Sequence, residues 1–338
     1  MLNWYLQSGK ESDVVISTRI RLARNLAEIL FTTKYSIDDA EKIIETFENI
    51  LPSLSYGLKL LKLTDMDNIT QLSLVEKHII SPDFVIDEDE TKAILINEEE
   101  NICIMLNEED HVRIQVLVAG LDLENTLALA VEIDEKLANL INYAYNEKYG
   151  FLTSCPTNVG TGLRSSIMVH LPGLTLTSNI NKVLEVVNNF GMNIRGVYGE
   201  GTKSQGNVYQ ISNKQSLGIS EEEIIKNLKA ITDKIIEQER LARKYLAKNS
   251  IELEDRVYRA YGTLTNCRKI SGEEVKKLLS DVKLGVDMGI IKEITDYKVK
   301  QLETFTKPAS MQKYLGQVLD DYDRDIKRVE VIQRIVRE

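Results

Sequence analysis

Residues 107–113 read Asn107-Glu108-Glu109-Asp110-His111-Val112-Arg113, and they lie between two apolar runs, 102–106 and 114–119. The two apolar runs hold a dense acidic cluster with an arginine at its end, which a globular core does not require. Three adjacent carboxylates repel one another and cannot be buried without cationic partners. A positively charged group, and specifically a guanidinium, is therefore expected opposite these acids.

The composition is that of an ordinary soluble protein. The chain has 338 residues, of which 43% are hydrophobic and 28% charged, and the net charge is −10. This length favours two domains over one, and the negative charge argues against a general nucleic-acid surface. No apolar run has the length of a membrane span, and the N-terminus is too polar for a signal peptide, so a cytoplasmic protein without a membrane partner is expected. Three scattered cysteines predict free thiols, and three scattered histidines predict no metal site.

An arginine pair follows the first β-type run, residues 14–16. Thr18, Ile20 and Leu22 alternate with Arg19 and Arg21, and a period of two directs both arginines to the same face of a strand. Two adjacent guanidinium groups repel each other unless they share an anion. From this stretch alone, a solvated strand face is the slightly favoured interpretation.

Periodicity and turn residues predict a mixture of strands and helices in the first part of the chain, followed by a helical domain. Helices are expected at 36–53, 122–149 and 179–190, and strands at 93–97, 102–106, 167–171 and 207–212. After Gly218 the pattern is almost wholly helical, beginning with a capping box at Ser220 and Glu223 and ending in one long helix at 311–337. The predicted domains are therefore 1–217 and 218–338.

Two glycine-rich segments have the composition of ligand-binding loops. Residues 154–166 combine small polar residues with Arg164, which suits the approach of an anion. Residues 195–206 nearly match a Walker A loop, but Thr202 stands where that motif requires lysine, so a P-loop is rejected. Four glycines around Arg195 and Glu200 are more typical of a loop that closes over a ligand.

Five arginines of the first domain lie beside strands or in glycine-rich segments, and they suit a polyphosphate because each can make bidentate contacts. They are Arg19, Arg21, Arg113, Arg164 and Arg195. With Glu109 and Glu200 as the opposing acids, they predict phosphoryl transfer to a cationic nitrogen. Mg²⁺ would be carried mainly by the phosphates and water.

Four segments together resemble the ATP:guanido phosphotransferase family, which includes creatine and arginine kinases. They are 17–21, 107–113, 155–164 and 195–200. The resemblance implies an α+β catalytic domain with a mainly antiparallel sheet flanked by helices, and it implies ATP and Mg²⁺ as cofactors. It implies that Glu109 is the base that orients the guanidine and that Glu200 is its partner on the closing loop, with Cys155 and Glu108 in the substrate pocket. The nucleotide-binding residues that it implies are Ser17, Thr18, Arg19, Ile20, Arg21, His78, Arg113, Arg164, Ser165, Ser166, Ile167, Met168, Arg195, Gly196, Val197, Tyr198 and Gly199.

The sequence departs from the small-metabolite kinases of that family in two ways. The first arginine motif begins at Ser17, so their helical N-terminal domain is expected to be absent, and a helical domain follows instead. This arrangement resembles the branch that phosphorylates arginine side chains of proteins. Arg324, Asp325 and Arg328 resemble a phosphoarginine-binding motif of that branch, with Val329 in place of its final alanine. Residues 255–260 are a weaker match.

The same resemblance implies a homodimer, a zinc-finger activator protein and delivery of phosphorylated substrates to a Clp unfoldase and protease, as part of stress response and protein quality control. Other roles stay open for single residues. Glu108 and Asp110 suit supporting acids, His111 a hydrogen-bonding spacer, and Cys155 a residue that only shapes the pocket. A second hypothesis is an adaptor that reads phosphoarginine without catalysing transfer, although such an adaptor would not need the acids and arginines.

Overall fold

A computed structural model of the chain describes residues 2–86, 91–197 and 204–338. Its strands are β1 (Val15–Arg24), β2 (Lys59–Lys62), β3 (Ala93–Ile96), β4 (Ile102–Leu106), β5 (Val112–Ala119), β6 (Tyr145–Asn146), β7 (Gly150–Phe151), β8 (Leu163–His170), β9 (Met192–Gly196) and β10 (Val208–Asn213). Its helices are α1 (Ile37–Ile50), α2 (Asn68–Glu76), α3 (Asp83–Ile86), α4 (Leu123–Ala138), α5 (Pro172–Leu176), α6 (Ile180–Asn189), α7 (Glu221–Leu246), α8 (Ser250–Asn266), α9 (Gly272–Asp287), α10 (Asp296–Phe305), α11 (Pro308–Leu315) and α12 (Asp321–Arg337).

One large sheet organises the first part of the chain. Its eight strands lie in the order β2-β3-β4-β5-β1-β8-β10-β9, and each neighbouring pair is antiparallel. β6 and β7 form a separate small hairpin. The α+β class, the mainly antiparallel sheet and the helical C-terminal part are confirmed.

The two faces of the sheet have different partners. One face carries Ile20, Ile114, Ile167 and Ile211, which are fully buried in the main core with residues of α1, α4, α6 and α7. On the opposite face, the β3 and β4 end is covered by a smaller core that includes Phe84, from the α2–α3 segment. The middle of that second face carries the arginines described below.

Most of the predicted elements are found close to their expected bounds. Helix α1 begins after Ser36, whose Oγ accepts from the Asp39 amide at 3.1 Å while the Asp39 carboxylate accepts from the Ser36 amide at 3.0 Å. The β3–β4 hairpin and β10 are confirmed. The strand predicted at 167–171 is longer and begins at Leu163.

The predicted helix 122–149 is too long, since α4 ends at Ala138. The chain after it pairs instead with the segment following β1: the Ala27 amide donates to the Asn142 carbonyl at 3.0 Å, and the Ala144 amide donates to the Asn25 carbonyl at 2.7 Å. These long-range hydrogen bonds satisfy backbone groups that a longer helix would have used internally. Tertiary pairing therefore overrides the helical periodicity.

The predicted single helix 311–337 is wrong. Gly316 ends α11 in the left-handed conformation, with φ of +66°, and Asp320 then caps α12 by accepting from the Asp323 amide at 2.8 Å. A left-handed glycine after the last turn is a common helix end, because glycine adopts positive φ at little cost.

The helices after residue 250 enclose a second core that includes Leu253, Val282, Met311 and Ile332. Helix α7, by contrast, packs its apolar residues into the first core. The division after residue 217 stays a prediction. None of the described helices combines the length and apolar character that a membrane crossing requires.

Several buried contacts join the helical part to the sheet. The His170 Nε2 lies 2.8 Å from the Ser280 Oγ of α9, and the Asn207 amide also donates to that oxygen at 2.7 Å. On α2, the Glu76 carboxylate accepts from the Ala309 and Ser310 amides at the start of α11, at 2.9 and 2.7 Å. The two parts are therefore held together by specific polar contacts.

Replacing Arg24 with Ala is expected to destabilise the protein by about 3–5 kcal/mol, because a buried carboxylate would lose its partner. Arg24 is 2% exposed and its Nη2 lies 2.6 Å from the Asp134 Oδ2. Replacing Arg259, which pairs with Asp255 on the surface, should cost far less, because both partners of that ion pair are exposed to solvent. Urea unfolding measures both, and equal losses would contradict the expected difference.

Stability is expected to fall as the pH drops below about 6.5, because burial lowers the pKa of all three histidines, His78, His111 and His170. Their unfolded forms bind protons more readily, so each contributes a loss approaching about 1.4 kcal/mol per pH unit below its unfolded pKa. His170→Gln should reduce the slope of unfolding free energy against pH between about 6.5 and 5.5. An unchanged slope, measured by urea unfolding, would contradict this assignment.

Candidate active site

The five predicted arginines come from four strands and lie on one face of the sheet. Antiparallel register sets this arrangement, because residues that pair directly across two strands point to the same side. Arg21 pairs with Arg164, Arg113 pairs with Ala23, and Arg195 pairs with Gln210. Met168 pairs with Gln210 on β10 and with Ser17 on β1. The pair of Arg195 and Gln210 therefore lies on the same face as Ser17 and Arg19. The sheet thus brings together residues that are up to 176 positions apart in the sequence, from Arg19 to Arg195.

Arg19 is held by neutral oxygen atoms. Its Nε donates to the Ser166 Oγ at 3.2 Å, and its Nη2 donates to the Gln210 Oε1 at 3.1 Å. These partners orient the guanidinium without neutralising its charge, so the positive charge remains available to an anion.

The arginines depress one another's proton affinity. Burial, followed by the charges of Arg195, Arg113 and Arg164, lowers the pKa of Arg19 to about 10. Burial and the neighbouring arginines, Arg19 first, lower the pKa of Arg21 well below its usual value. The Arg21 Nε is buried and has no hydrogen-bond partner among the described residues. A cluster of like charges with unused donors is a site prepared for a multiply charged anion.

The acidic turn between β4 and β5 lies beside this cluster. The Glu108 carboxylate, whose side chain is 8% exposed, pairs with Arg113 and also accepts from the Ser81 Oγ at 2.6 Å. The Glu109 Oε2 lies 3.3 Å from the Arg113 Nη2, but this side chain is 44% exposed. Glu108 is therefore committed to internal contacts, whereas Glu109 is accessible to a molecule arriving from solvent.

A buried network fixes the acidic turn. The Asp110 Oδ1 accepts from the Asn25 Nδ2 at 2.7 Å and from the Ser154 amide at 2.6 Å. The His111 Nδ1 accepts from the Leu26 amide at 3.1 Å, and its Nε2 lies 2.8 Å from the Leu30 carbonyl oxygen. Both His111 nitrogens are thus occupied, as a hydrogen-bonding spacer requires. The network joins β1, the acidic turn and the loop that carries Cys155.

Cys155 belongs to this site. The Cys155 Sγ lies 3.0 Å from the Thr157 Oγ1, and the thiol is partly exposed. Burial, followed by the charges of the other arginines, lowers the pKa of Arg164. Cys155 and Glu109 raise this pKa by a smaller amount, so both lie close enough to interact with the guanidinium. The segment 154–166 therefore brings a polarisable sulfur and a guanidinium next to the exposed acid.

His78 lies at the other end of the arginine face. It has a left-handed backbone, with φ of +61°, and the Gln115 Nε2 donates to its carbonyl at 3.1 Å and to the Ile79 carbonyl at 2.6 Å. Gln115 pairs with Arg21 across β5 and β1, so it shares the arginine face. The charge of Arg19 contributes to the lowered pKa of His78, after burial and Lys307.

Some predicted nucleotide-binding residues lie on the opposite face of the sheet. Thr18, Ile20, Ser165 and Ile167 alternate with the arginines, and all four are fully buried. Their side chains cannot contact a ligand on the arginine face, because successive strand residues point to opposite sides. Ser17, Ser166 and Met168 lie on the arginine face with Arg19.

The segment 195–206 is described only at its two ends. Gly196 belongs to β9, and the Val197 amide donates to the Val208 carbonyl at 2.9 Å. The Gln205 amide donates to the Val197 carbonyl at 3.4 Å. Tyr198, Gly199 and Glu200 lie outside the described residues.

Sequence reasoning missed three residues that organise the site. Gln210 holds Arg19, Gln115 holds the His78 turn, and Asn25 joins Asp110 to the Leu152 carbonyl. Gln115 alternates with core residues of β5, so period-two spacing could have placed it with Arg113. Nothing local marks Asn25, whose role depends on contacts 85 and 127 residues away.

The C-terminal motif has a structural function in this conformation. Arg328 is 2% exposed, and it donates to the Thr306 carbonyl at 2.9 Å and to the Ile270 carbonyl at 2.7 Å. It also pairs with Asp325 at 2.6 Å, while Arg324 pairs with Asp321. Val329 is buried in the second core.

A search of the described residues finds no group of three or more His, Cys, Asp or Glu side chains able to hold a metal ion. A divalent metal accompanying a polyphosphate does not need such a cage, since Mg²⁺ commonly keeps several waters and binds through phosphate oxygens.

An arginine-rich face beside an accessible carboxylate suits phosphoryl transfer. Comparison with known proteins agrees with this chemistry. Residues 40–242 match the model described as ATP:guanido phosphotransferase, C-terminal catalytic domain. The chain belongs to this family. Residues 250–338 match the Protein-arginine kinase McsB C-terminal domain.

Full-length relatives carry the name protein-arginine kinase. The protein of Bacillus pumilus (strain SAFR-032) is 46% identical over 99% of this chain and 93% of its own length. The Bacillus subtilis (strain 168) protein is 45% identical, over 98% of this chain and 92% of its own length.

Solved structures of small-metabolite kinases share the fold. The duplicated taurocyamine kinase of Schistosoma mansoni, with bound transition-state analogue components, has a TM-score of 0.62 and 27% identity, over 71% of this chain and 35% of that chain. Lombricine kinase gives a TM-score of 0.59 and 25% identity, over 69% of this chain and 68% of that one.

Replacing Arg21 with Met is expected to stabilise the ligand-free protein, because it removes a partly buried charge that repels its neighbours. The same change should reduce the thermal stabilisation given by inorganic tripolyphosphate, since one anion-binding guanidinium is lost. Arg268→Met, at an exposed position, serves as the control. Thermal melting with and without tripolyphosphate measures both effects, and a destabilised ligand-free variant would contradict the role of charge repulsion.

Proposed function

We propose that this protein is a protein-arginine kinase, which transfers the γ-phosphoryl group of ATP to arginine side chains of protein substrates. The observation that carries the proposal is one face of a sheet on which five arginines meet beside the accessible carboxylate of Glu109. The names of its full-length relatives support protein-borne arginine as the acceptor.

The order of residues along the strands suits this reaction. Arg113 and Glu109 lie at the Ala23 end of β1, Arg21 and Arg164 follow, and Arg19 comes next toward Ser17. A guanidinium bound at Glu109 would therefore lie in line with a polyphosphate held along β1. Alignment of this kind is worth up to about 7–11 kcal/mol of an activation barrier.

In the chemical step, a guanidinium nitrogen attacks the γ-phosphorus of ATP and the bond between that phosphorus and the β,γ-bridging oxygen breaks. The products are phosphoarginine and ADP. The attacking nitrogen loses a proton to the Glu109 carboxylate, which makes its lone pair available. Arg19, Arg21, Arg113, Arg164 and Arg195 stabilise the charge on the transferring group and on ADP.

Other predicted residues have supporting roles in this proposal. Glu200, from the segment between Val197 and Gln205, provides the second acid that orients the guanidinium. Glu108 holds Arg113 and the backbone of Glu109, and Cys155 lines the acceptor pocket. If Mg²⁺ accompanies ATP, phosphate oxygens and water would hold it, and it would offset the negative charge of the phosphates.

We also propose the finer biological assignments that the resemblance implies. The protein is a cytoplasmic homodimer that responds to a zinc-finger activator and marks substrates for a Clp unfoldase and protease under stress. Arg324, Asp325 and Arg328 form a phosphoarginine-binding regulatory site. Because Arg328 is already bonded to two carbonyls and Asp325, ligand binding there would use Arg324 or require rearrangement.

Replacing Glu109 with Gln is expected to reduce protein phosphorylation by at least about 10²–10⁴-fold while ATP binding is retained, because the proton acceptor is lost and the arginines remain. The measurement is acid-labile phosphate on arginine of a protein substrate after incubation with Mg-ATP. Glu98→Gln, in an exposed turn on the same sheet, is the matched control. Turnover of free arginine without any transfer to protein would instead identify a metabolite kinase.

A further inference from the structure

Glu109 and Cys155, which face the substrate guanidinium in the proposed reaction, belong to different loops. Glu109 lies in the acidic turn between β4 and β5, and Cys155 lies in the loop between β7 and β8. The distance between the two residues is therefore not set by one regular element. Contacts that join the two loops consequently set the width of the acceptor pocket.

One buried side chain holds both loops. Asn25 directly follows β1 and is 1% exposed. Its Nδ2 donates to the Asp110 Oδ1 at 2.7 Å and to the Leu152 carbonyl at 3.1 Å, and its Oδ1 accepts from the His111 amide at 2.9 Å. A side-chain amide has two N–H donors and one acceptor oxygen, so these three bonds use both donors and the oxygen. A single planar group thus ties the acidic turn to the Cys155 loop.

Asp110 is the second member of this clamp. Its carboxylate is fully buried, and the Oδ1 also accepts from the amide of Ser154, the residue before Cys155, at 2.6 Å. The Oδ2 has no hydrogen-bond partner among the described residues. Because a buried carboxylate is costly unless donors satisfy it, the acidic turn depends on the donor that Asn25 supplies. Without that donor, the turn would have to move to satisfy the charge.

The clamp is fixed relative to the arginine face. The Ala144 amide donates to the Asn25 carbonyl at 2.7 Å, which holds the backbone at the end of β1. Asn25 lies two residues beyond Ala23, and Ala23 pairs with Arg113. The same strand carries two of the arginines that hold the phosphates in the proposed reaction. Asn25 therefore sets both loops against the strand along which the polyphosphate lies.

We propose that Asn25 is a positioning residue for phosphoryl transfer: it sets the gap between the Glu109 carboxylate and the Cys155 loop, and with it the alignment of the substrate guanidinium. This inference rests on the proposed function, since it assumes that Glu109 receives the guanidinium. Asn25 is buried and acts through the two loops rather than by touching a substrate. A displacement of about 1 Å in such a site can reduce the rate about 10²-fold.

Asn25→Asp tests the clamp with almost no change of shape. The substitution keeps the oxygen that accepts from His111, but it replaces the NH₂ donor with a carboxylate oxygen that faces Asp110. The kcat for phosphorylation of a protein substrate should fall about 10²-fold, because the acceptor is misaligned. The KM for Mg-ATP should stay unchanged, because the arginines keep their strand register. Steady-state kinetics on the full-length protein measures both values.

A second substitution, Asp110→Asn, should rescue the first. In the double variant, the amide introduced at position 110 donates to the carboxylate introduced at position 25, so the bond between them is restored in the reverse direction. The amide oxygen at position 110 can still accept from Ser154. The kcat should recover at least about tenfold relative to Asn25→Asp, which is the signature of two directly coupled residues. Recovery is incomplete because the Leu152 carbonyl still lacks its donor.

Asn97→Asp is the matched control, because Asn97 is a buried asparagine in the β3–β4 turn, at the opposite end of β4 from the acidic turn. Its Oδ1 accepts from the Asn101 and Ile102 amides at 3.1 and 3.0 Å. Its Nδ2 donates to the Glu99 carboxylate at 2.9 Å, so the substitution also brings two carboxylates together. The control should lower the melting temperature and leave kcat unchanged.

Several results would overturn the proposal. They are an unchanged kcat in Asn25→Asp, a loss confined to the KM for Mg-ATP, a double variant no faster than Asn25→Asp, and an equal loss of kcat in Asn97→Asp. If Asn25→Asp has no melting transition, Asn25→Ser, which breaks the bridge without adding a charge, carries the same kcat test. Wild-type protein that phosphorylates no arginine would refute the proposed function, and this inference with it.

Discussion

Five guanidinium groups lie on one face of a sheet and repel one another. The rest of the structure must hold them together against this repulsion. Burial and mutual charge lower the pKa values of Arg19, Arg21 and Arg164, so the ligand-free protein holds these groups at a free-energy cost. A polyphosphate removes that cost by pairing with several of them at once. Relief of the repulsion among the arginines therefore adds to the free energy of polyphosphate binding. Part of that free energy can lower the activation barrier of phosphoryl transfer.

The opposite face of the same sheet makes the cluster possible. Ile20, Ile114 and Ile167 alternate with the arginines and are completely buried under α1, α4, α6 and α7. Because each strand is fixed by this apolar face, its register cannot slip without exposing the core. The arginines are consequently held by packing on the side they do not touch. Neutral partners such as Gln210 and Ser166 then set the direction of Arg19 without cancelling its charge.

Local pattern predicted part of this arrangement, and the rest depended on contacts that no local pattern contains. Alternation in residues 18–22 placed Arg19 and Arg21 on one face. The acidic segment 107–113 indicated a cationic partner, and within the described chain Glu108 and Glu109 pair with Arg113 at the end of the same segment. That Arg164 pairs with Arg21 required the order of strands, which periodicity does not give. Ile20 and Ile167 were grouped with the arginines because the family resemblance covers whole motifs, although period-two alternation places their side chains on the opposite face. Helix α4 was extended too far because apolar spacing continues after Ala138, whereas backbone pairing with residues 25–27 ends it.

The two ends of the arginine face differ in their accessibility to solvent. Glu109 is half-exposed at the end of β1 near Ala23, whereas a cavity under α9 and α10 lies at the other end, near Ser17. The helical part therefore packs over the end of the site that is farther from Glu109, and among the described residues it leaves the acidic turn accessible. A small free substrate could be enclosed completely, but an arginine on a folded protein needs an approach that its own backbone can follow. Placing the helices after residue 250 at the end of the site farther from Glu109 keeps that approach open, which suits the protein-borne acceptor proposed above.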